Sequence, residues 1–180
     1  LPEDSDIAVN RAIARLNRDD FCCLLVGTDQ GRARYRAELE ARIRSAGLAG
    51  RMRIMDDMPD MPAAYMLADI VVSASTDPEA FGRVAVEGQA MGRLVIATEH
   101  GGARETVIAR QTGWLVPPDD PDALAAALDE ALSVSPELRS RIGQAARAHA
   151  VGNFTVAQMC ARTLAVYREV LAEHSLSAAS

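Results

Sequence analysis

Five short apolar runs, each stopped by glycine, proline or small polar residues and each followed by a helix-patterned stretch, constrain this chain more than any other feature. They lie at 21–26, 52–55, 69–73, 94–98 and 113–116. Runs of four to six largely apolar residues bounded by turn residues mark strands buried on both faces, as in parallel sheets. Before the first run the spacing predicts a helix over 6–18, and between the runs helices over 32–46, 61–67, from near Gly82 to Gly92, and over 103–108. Three more helices follow, from Pro121 to about Leu132, Pro136 to about Ala150 and Thr155 to about Ala172, with a small polar tail over 175–180 expected to fray. Strands alternating with helices predict an α/β domain with a Rossmann-like, doubly wound parallel sheet and extra C-terminal helices. Ligands of such sheets bind beyond the carboxyl ends of the strands. Gly27, Asp56, the stretch 75–82 and the run His100-Gly101-Gly102 all fall there.

Composition narrows the chemistry. With 180 residues and 49% hydrophobic content, one sizeable core is the expectation. A net charge of −6 without a basic block argues against a nucleic-acid partner. All 19 cationic side chains are arginine, which excludes Schiff-base and P-loop lysine mechanisms within these residues. The three cysteines suit neither a disulfide framework nor a zinc site, and Cys22 and Cys23 read as core or sheet residues in a reducing compartment. With neither a signal peptide nor an apolar run of transmembrane length, the sequence reads as soluble and cytoplasmic.

The chemistry concentrates between Thr76 and Gly92, in T-D-P-E-A-F-G-R-V-A-V-E-G-Q-A-M-G. A helix starting near Gly82 leaves Glu79 in the loop before its N-terminus and puts Glu87 about a turn and a half inside. Free backbone N–H groups and the positive end of the helix dipole lie between them and suit an anion such as phosphate. On spacing alone, two solvated glutamates near a helix end explain the pair equally well. Asp120-Pro121-Asp122 has the form of a D-x-D metal motif, but aspartate before proline at a helix start is a capping arrangement. Asp56-Asp57 lacks the further ligands of an octahedral site. Trp114 and the Met58/Met61/Met66 group read as packing residues, and His149 and His174 as surface or packing residues.

The run E-A-F-G-R-V-A-V-E-G-Q-A-M-G resembles the E-x7-E signature of retaining nucleotide-sugar glycosyltransferases with the two-domain GT-B fold, the bacterial group 1 (family four) transferases. L-L-V-G ending at Gly27, Y-M-L-A-D-I-V-V-S-A-S ending at Ser75, V-I-A-T-E-H-G-G-A-R-E ending at Glu105 and T-G-W-L-V-P-P ending at Pro118 recur there in this order, so the resemblance covers about residues 20–170. It implies that residues 1–174 form the nucleotide-sugar-binding C-terminal half of a GT-B enzyme. In that reading Glu79 is catalytic, contacting donor-sugar hydroxyls and stabilising charge at the reacting centre. Glu87 holds the ribose hydroxyls. The backbone N–H groups of Phe81, Gly82, Arg83 and Val84 hold sugar hydroxyls and diphosphate. Gly27 and the loop near Met55-Asp56 border the base, and Gly101 and Gly102 line the pocket, with His100 ranked below them.

The implied partner is a UDP- or GDP-sugar donor used without a metal or other cofactor, in cell-envelope or polysaccharide glycan synthesis. Three departures stand out. Gly88 and Leu94 replace the family's usual alanine and proline. The family's arginine–lysine pair that grips the diphosphate, and the acceptor-binding N-terminal domain, have no counterpart in these residues. The chain also enters a helix with no strand before it, so the expectation is a fragment lacking its first strand and inactive without its N-terminal domain. Peripheral contact with the inner face of the membrane would belong to the full-length protein. Arg83 stands where the family often has leucine or isoleucine, and a solvent-facing arginine is favoured over a phosphate-binding one. A non-catalytic sugar-nucleotide binding module of the same fold stays open as the alternative. An unrelated doubly wound domain, such as half of a sugar-nucleotide epimerase, is the weaker third.

Overall fold

The computed structural model describes residues 4–27, 31, 33–56 and 58–177. Its elements follow the predicted alternation: α1 (Asp4–Ile13), β1 (Cys23–Val26), α2 (Ala33–Ser45), β2 (Met52–Met55), α3 (Met61–Leu67), β3 (Ile70–Ser73) and α4 (Arg83–Ala90). They continue with β4 (Leu94–Thr98), α5 (Ala103–Thr106), β5 (Trp114–Val116), α6 (Pro121–Ser133), α7 (Pro136–Asn153) and α8 (Val156–Ser177). Every ladder is parallel. The strands divide into two sheets, β1-β2 and β3-β4-β5. A doubly wound sheet extends in two directions from its middle, and these ladders are its two arms; among the described residues no ladder joins β1 to β3. The expected doubly wound parallel α/β arrangement is present, its strands paired as two small sheets that share a core. Val9, Ile13, Leu39, Met52, Leu94, Ile96, Trp114 and Leu128 form one buried cluster, against which Cys23 and Leu25 of β1 and Ile70 and Val72 of β3 pack. A second cluster on the other face joins Tyr65, Val71, Ala85, Val95, Ala97 and Val107.

Element ends differ from the periodicity where tertiary partners decide them. α1 stops at Ile13, short of the expected residue 18, because the chain tightens there: Arg15 and Leu16 donate to the carbonyls of Ala12 and Ile13, three residues back. Arg18 then ties the exit to Asp20 at 2.8 Å and to Asp129 of α6 at 3.1 Å. Phe21 and Cys22 lie outside the ladder because β1 and β2 begin pairing at Cys23↔Met52. Cys22 is exposed, against the expectation of a core or sheet residue, whereas Cys23 packs against the core and burial pushes its thiol up to about 12. Met61 packs on the second cluster, but Met66 points to solvent at 61% exposure. Trp114 is buried as expected. α8 runs to Ser177, past the expected end near Ala172, and its side chains over 159–172 are exposed. Of the tail expected over 175–180, residues 175–177 are the last of α8; residues 178–180 lie outside the described residues, as do the side chain of His174 and Asp57.

Among the described residues no helix is long and apolar enough to cross a membrane.

Candidate functional site

The site is built where β3 and β4 end. They run parallel in the register Ser73↔Ala97, so the loops leaving them start side by side. One loop carries Ser75, Glu79 and Phe81 into α4; the other carries Glu99, His100, Gly101 and Gly102 into α5. The two touch backbone to backbone. Gly102 N–H donates to the Glu79 carbonyl at 2.8 Å. A Cβ on Gly101 would come within 2.3 Å of that carbonyl oxygen, and one on Gly102 within 2.6 Å of Phe81 backbone. Gly101 also has φ +54°, a left-handed conformation that glycine adopts at no steric cost. Both glycines are therefore required by contact with the glutamate loop itself.

Ser75, only 5% exposed, is the junction of this structure. Its carbonyl accepts Thr98 Oγ1 at 2.8 Å and His100 Nε2 at 2.7 Å, so His100 carries a proton on Nε2. Its hydroxyl donates to Glu79 Oε1. Glu79, half-buried, is thereby held through its side chain from the β3 exit and through its carbonyl from the α5 entry. Its other carboxylate oxygen lies 3.9 Å from where a Cβ of Gly82 would stand.

Gly82 is the N-cap of α4, with φ +77° and ψ +59° and no side-chain capping bond. The N–H groups of the first turn, Arg83 and Val84 among them, are thus left without a side-chain acceptor at the positive end of the helix. α4 is braced from behind. Its Gly88 packs against Val71, where a Cβ would sit 3.1 Å away, so alanine's helix-propensity gain of about 0.5–1 kcal/mol would be set against crowding of that valine. Gly143 of α7 sits directly on Gly92, and a Cβ there would approach the Gly92 carbonyl to 2.4 Å. Phe81, 43% exposed, stands edge-on to Phe154 at 5.7 Å, and Phe154 is in turn edge-on to His149 at 5.3 Å.

One turn into α4, Glu87 is half-buried and held on both oxygens. Tyr65 Oη donates to Oε2 at 2.9 Å. Arg83 donates to Oε1 through Nη2 at 2.9 Å and Nε at 3.2 Å. Arg83 is 82% exposed, so its i,i+4 pair with Glu87 contributes at most about 0.5 kcal/mol. Val84 is half-buried on the second cluster. Gly27, at φ +153°, closes the β1–β2 ladder with its N–H on the Met55 carbonyl at 3.2 Å. Among the described residues no hydrogen bond or ion pair joins that end to the glutamate loop. The structure thus brings Glu79, Glu87, Phe81, Gly82, Arg83, Val84, Gly101 and Gly102 together and leaves Gly27 on the other ladder.

The family description "Glycosyl transferases group 1" matches residues 8–149. The chain belongs to this family. It is 37% identical over 163 residues to D-inositol 3-phosphate glycosyltransferase of Corynebacterium diphtheriae, covering 87% of this chain and 38% of that protein. Among solved structures it is similar to a glycosyltransferase of Rickettsia africae ESF-5, with a TM-score of 0.89, 35% identity, and coverage of 95% of this chain and 45% of that one. It is also similar to Anabaena Alr3699/HepE in complex with UDP and glucose, with a TM-score of 0.84, 30% identity, and coverage of 92% and 46%. The group 1 chain spans less than half the length of each. Its fold is that of the C-terminal Rossmann-like domain of GT-B glycosyltransferases.

In this group 1 glycosyltransferase chain, three supporting residues escaped the reading of the sequence. Tyr65, Ser75 and Thr98 lie inside the motif runs, yet nothing in their spacing signals that they meet Glu87, Glu79 and each other. The D-x-D form at Asp120 proves to be a cap: its carboxylate accepts the N–H groups of Asp122 at 3.1 Å and Ala123 at 2.9 Å, and Asp122 pairs with Arg15 at 2.5 Å. Asp56 is tied to Arg36 at 2.5 Å. Among the described residues no three His, Cys, Asp or Glu side chains are placed to hold a metal ion.

Proposed function

We propose that this chain is the donor-binding half of a retaining glycosyltransferase that transfers a sugar from a nucleoside-diphosphate sugar, of the UDP or GDP type, in cell-envelope or polysaccharide glycan synthesis. The observation that carries the reading is the placing of two carboxylates, Glu79 and Glu87, on either side of a helix N-terminus that has no capping side chain. The UDP and glucose bound by the Anabaena relative support a nucleotide-sugar ligand.

In this reading the diphosphate lies over the first turn of α4. Negative charge grows on it as the glycosidic bond breaks, and the N–H groups of Phe81, Gly82, Arg83 and Val84 stabilise the departing nucleoside diphosphate in place of a metal ion. Glu79 accepts from donor-sugar hydroxyls and offsets positive charge at the anomeric carbon. Glu87 accepts the ribose hydroxyls, as a carboxylate with two oxygens does well. Gly27 and the end of β2 border the base, and Gly101 and Gly102 complete the wall beside the sugar. Transfer requires an acceptor-binding domain and phosphate-gripping cations from elsewhere in the parent protein, so the chain alone binds donor weakly and transfers nothing. The full-length protein works in the cytoplasm, peripherally at the inner face of the membrane.

Calorimetry or ligand-observed NMR with UDP and GDP tests this. Glu87→Ala is expected to weaken nucleoside-diphosphate binding by roughly tenfold to a hundredfold, the size of a lost charge-assisted hydrogen bond or two. Glu79→Ala should spare the free nucleoside diphosphate and weaken only the sugar-bearing form. Tight binding that survives Glu87→Ala would contradict the ribose assignment.

A further inference from the structure

Tyr65 stands outside the E-x7-E run, on α3, yet its hydroxyl holds Glu87 from the buried side. α3 is set by Asp60, whose carboxylate caps Ala63 N–H at 3.0 Å, and by Pro62 in its first turn. One turn further on, Tyr65 is 7% exposed and belongs to the cluster of Val71, Ala85 and Val95. Among the described residues the hydroxyl has one hydrogen-bond partner, Glu87 Oε2 at 2.9 Å. The two holds on Glu87 differ in kind. Arg83 reaches Oε1 from solvent at 82% exposure and turns away without disturbing any packing. Tyr65 cannot withdraw without opening the core.

A carboxylate has about four acceptor positions on its two oxygens. With Arg83 swung out, Oε1 is open, and Oε2 keeps one position beside the Tyr65 bond. Two hydroxyls of a cis-diol need such a pair, one on each oxygen. We propose that Tyr65 is a positioning residue for nucleoside recognition: it locks the Glu87 carboxylate so that one acceptor position on each oxygen faces the two ribose hydroxyls, while Arg83 is the displaceable occupant of that site. The inference rests on the assignment of Glu87 to ribose.

The test compares UDP with 2′,3′-dideoxy-UDP, and GDP with its dideoxy analogue, on the 180-residue chain by calorimetry or ligand-observed NMR. Tyr65→Phe keeps the ring and removes only the hydroxyl; its melting temperature reports folding. The expected result is roughly fivefold weaker binding of the nucleotide with intact ribose, unchanged binding of the dideoxy form, and no further loss when Tyr65→Phe is added to Glu87→Ala. Equal weakening of both nucleotides, or of neither, would overturn the positioning role and leave the ribose reading intact, provided Glu87→Ala still abolishes the discrimination. A wild-type chain that fails to discriminate the two, or binds neither, would overturn the ribose reading and the role of Tyr65 with it.

Discussion

Tyr65 also reports on its own surroundings. Burial first, and the hydrogen bond and charge of Glu87 second, hold its phenol above the ordinary tyrosine range. A raised native pKa means that the fold favours the protonated phenol. Its contribution to stability is therefore fully present below about pH 10, the value in an unfolded chain, and is lost as pH rises through the native value. Absorbance titration should show Tyr65 ionising late. Glu87→Ala should bring that titration down without restoring an ordinary value, because the buried ring remains. A Tyr65 titration indifferent to Glu87→Ala would mean that the hydrogen bond is absent in solution. The placing of the carboxylates at 79 and 87, before and one turn inside a helix start, was legible because glutamate, glycine and helix period are local signals, though those signals alone gave the pair no role. Tyr65 and Ser75 were not, because 22 residues separate Tyr65 from Glu87 and a hydroxyl in an apolar run looks like any half-buried strand or helix residue.

At the scale of elements, the loop carrying Glu79 owes its place to the loop before α5. Gly101→Ala would place a Cβ 2.3 Å from the Glu79 carbonyl oxygen in a left-handed conformation. The conformational part alone costs about 1–2 kcal/mol, and the collision adds to it by prising the loops apart. Chemical denaturation should show the loss of stability. Binding of a sugar-bearing nucleotide should weaken more than binding of the free nucleoside diphosphate, since Glu79 is what moves. A variant that is destabilised yet binds both as before would show that the contact serves the fold alone. The same scale explains which boundaries could be read in advance. Caps with their own chemistry, Asp60, Asp120 and Ser135, place α3, α6 and α7 to within a residue at their starts. The ends of α1 and β1 are set by Arg18 and by where β2 begins, partners far along the chain that no window of sequence contains.

For the whole molecule, the division into two ladders sets an uneven stability. β4 is buried at all five positions and flanked on both sides, whereas β1 has no fully buried residue and Leu24 is 45% exposed. Local opening follows burial and pairing, so hydrogen–deuterium exchange should find the amides of β4 the slowest in the chain and those of β1 and β2 much faster. Matching rates in the two arms would mean that they open as one unit. The alternation of strands and helices made the α/β class readable from the sequence; the split into two arms was not, since hydrogen-bonded neighbours in a parallel sheet leave no local mark.

The docking of Gly101 and Gly102 on the backbone around Glu79 carries a thermodynamic consequence. A carboxylate presented by a free loop loses conformational entropy when a ligand arrests it, and affinity falls accordingly. Here the loop is already docked on its neighbour, so the proposed donor would meet Glu79 on backbone that has already surrendered its freedom. Arg83, a long and solvent-facing side chain, is paired with Glu87 in this structure; its displacement by a ribose would free it, so its own term in the entropy of binding would be favourable.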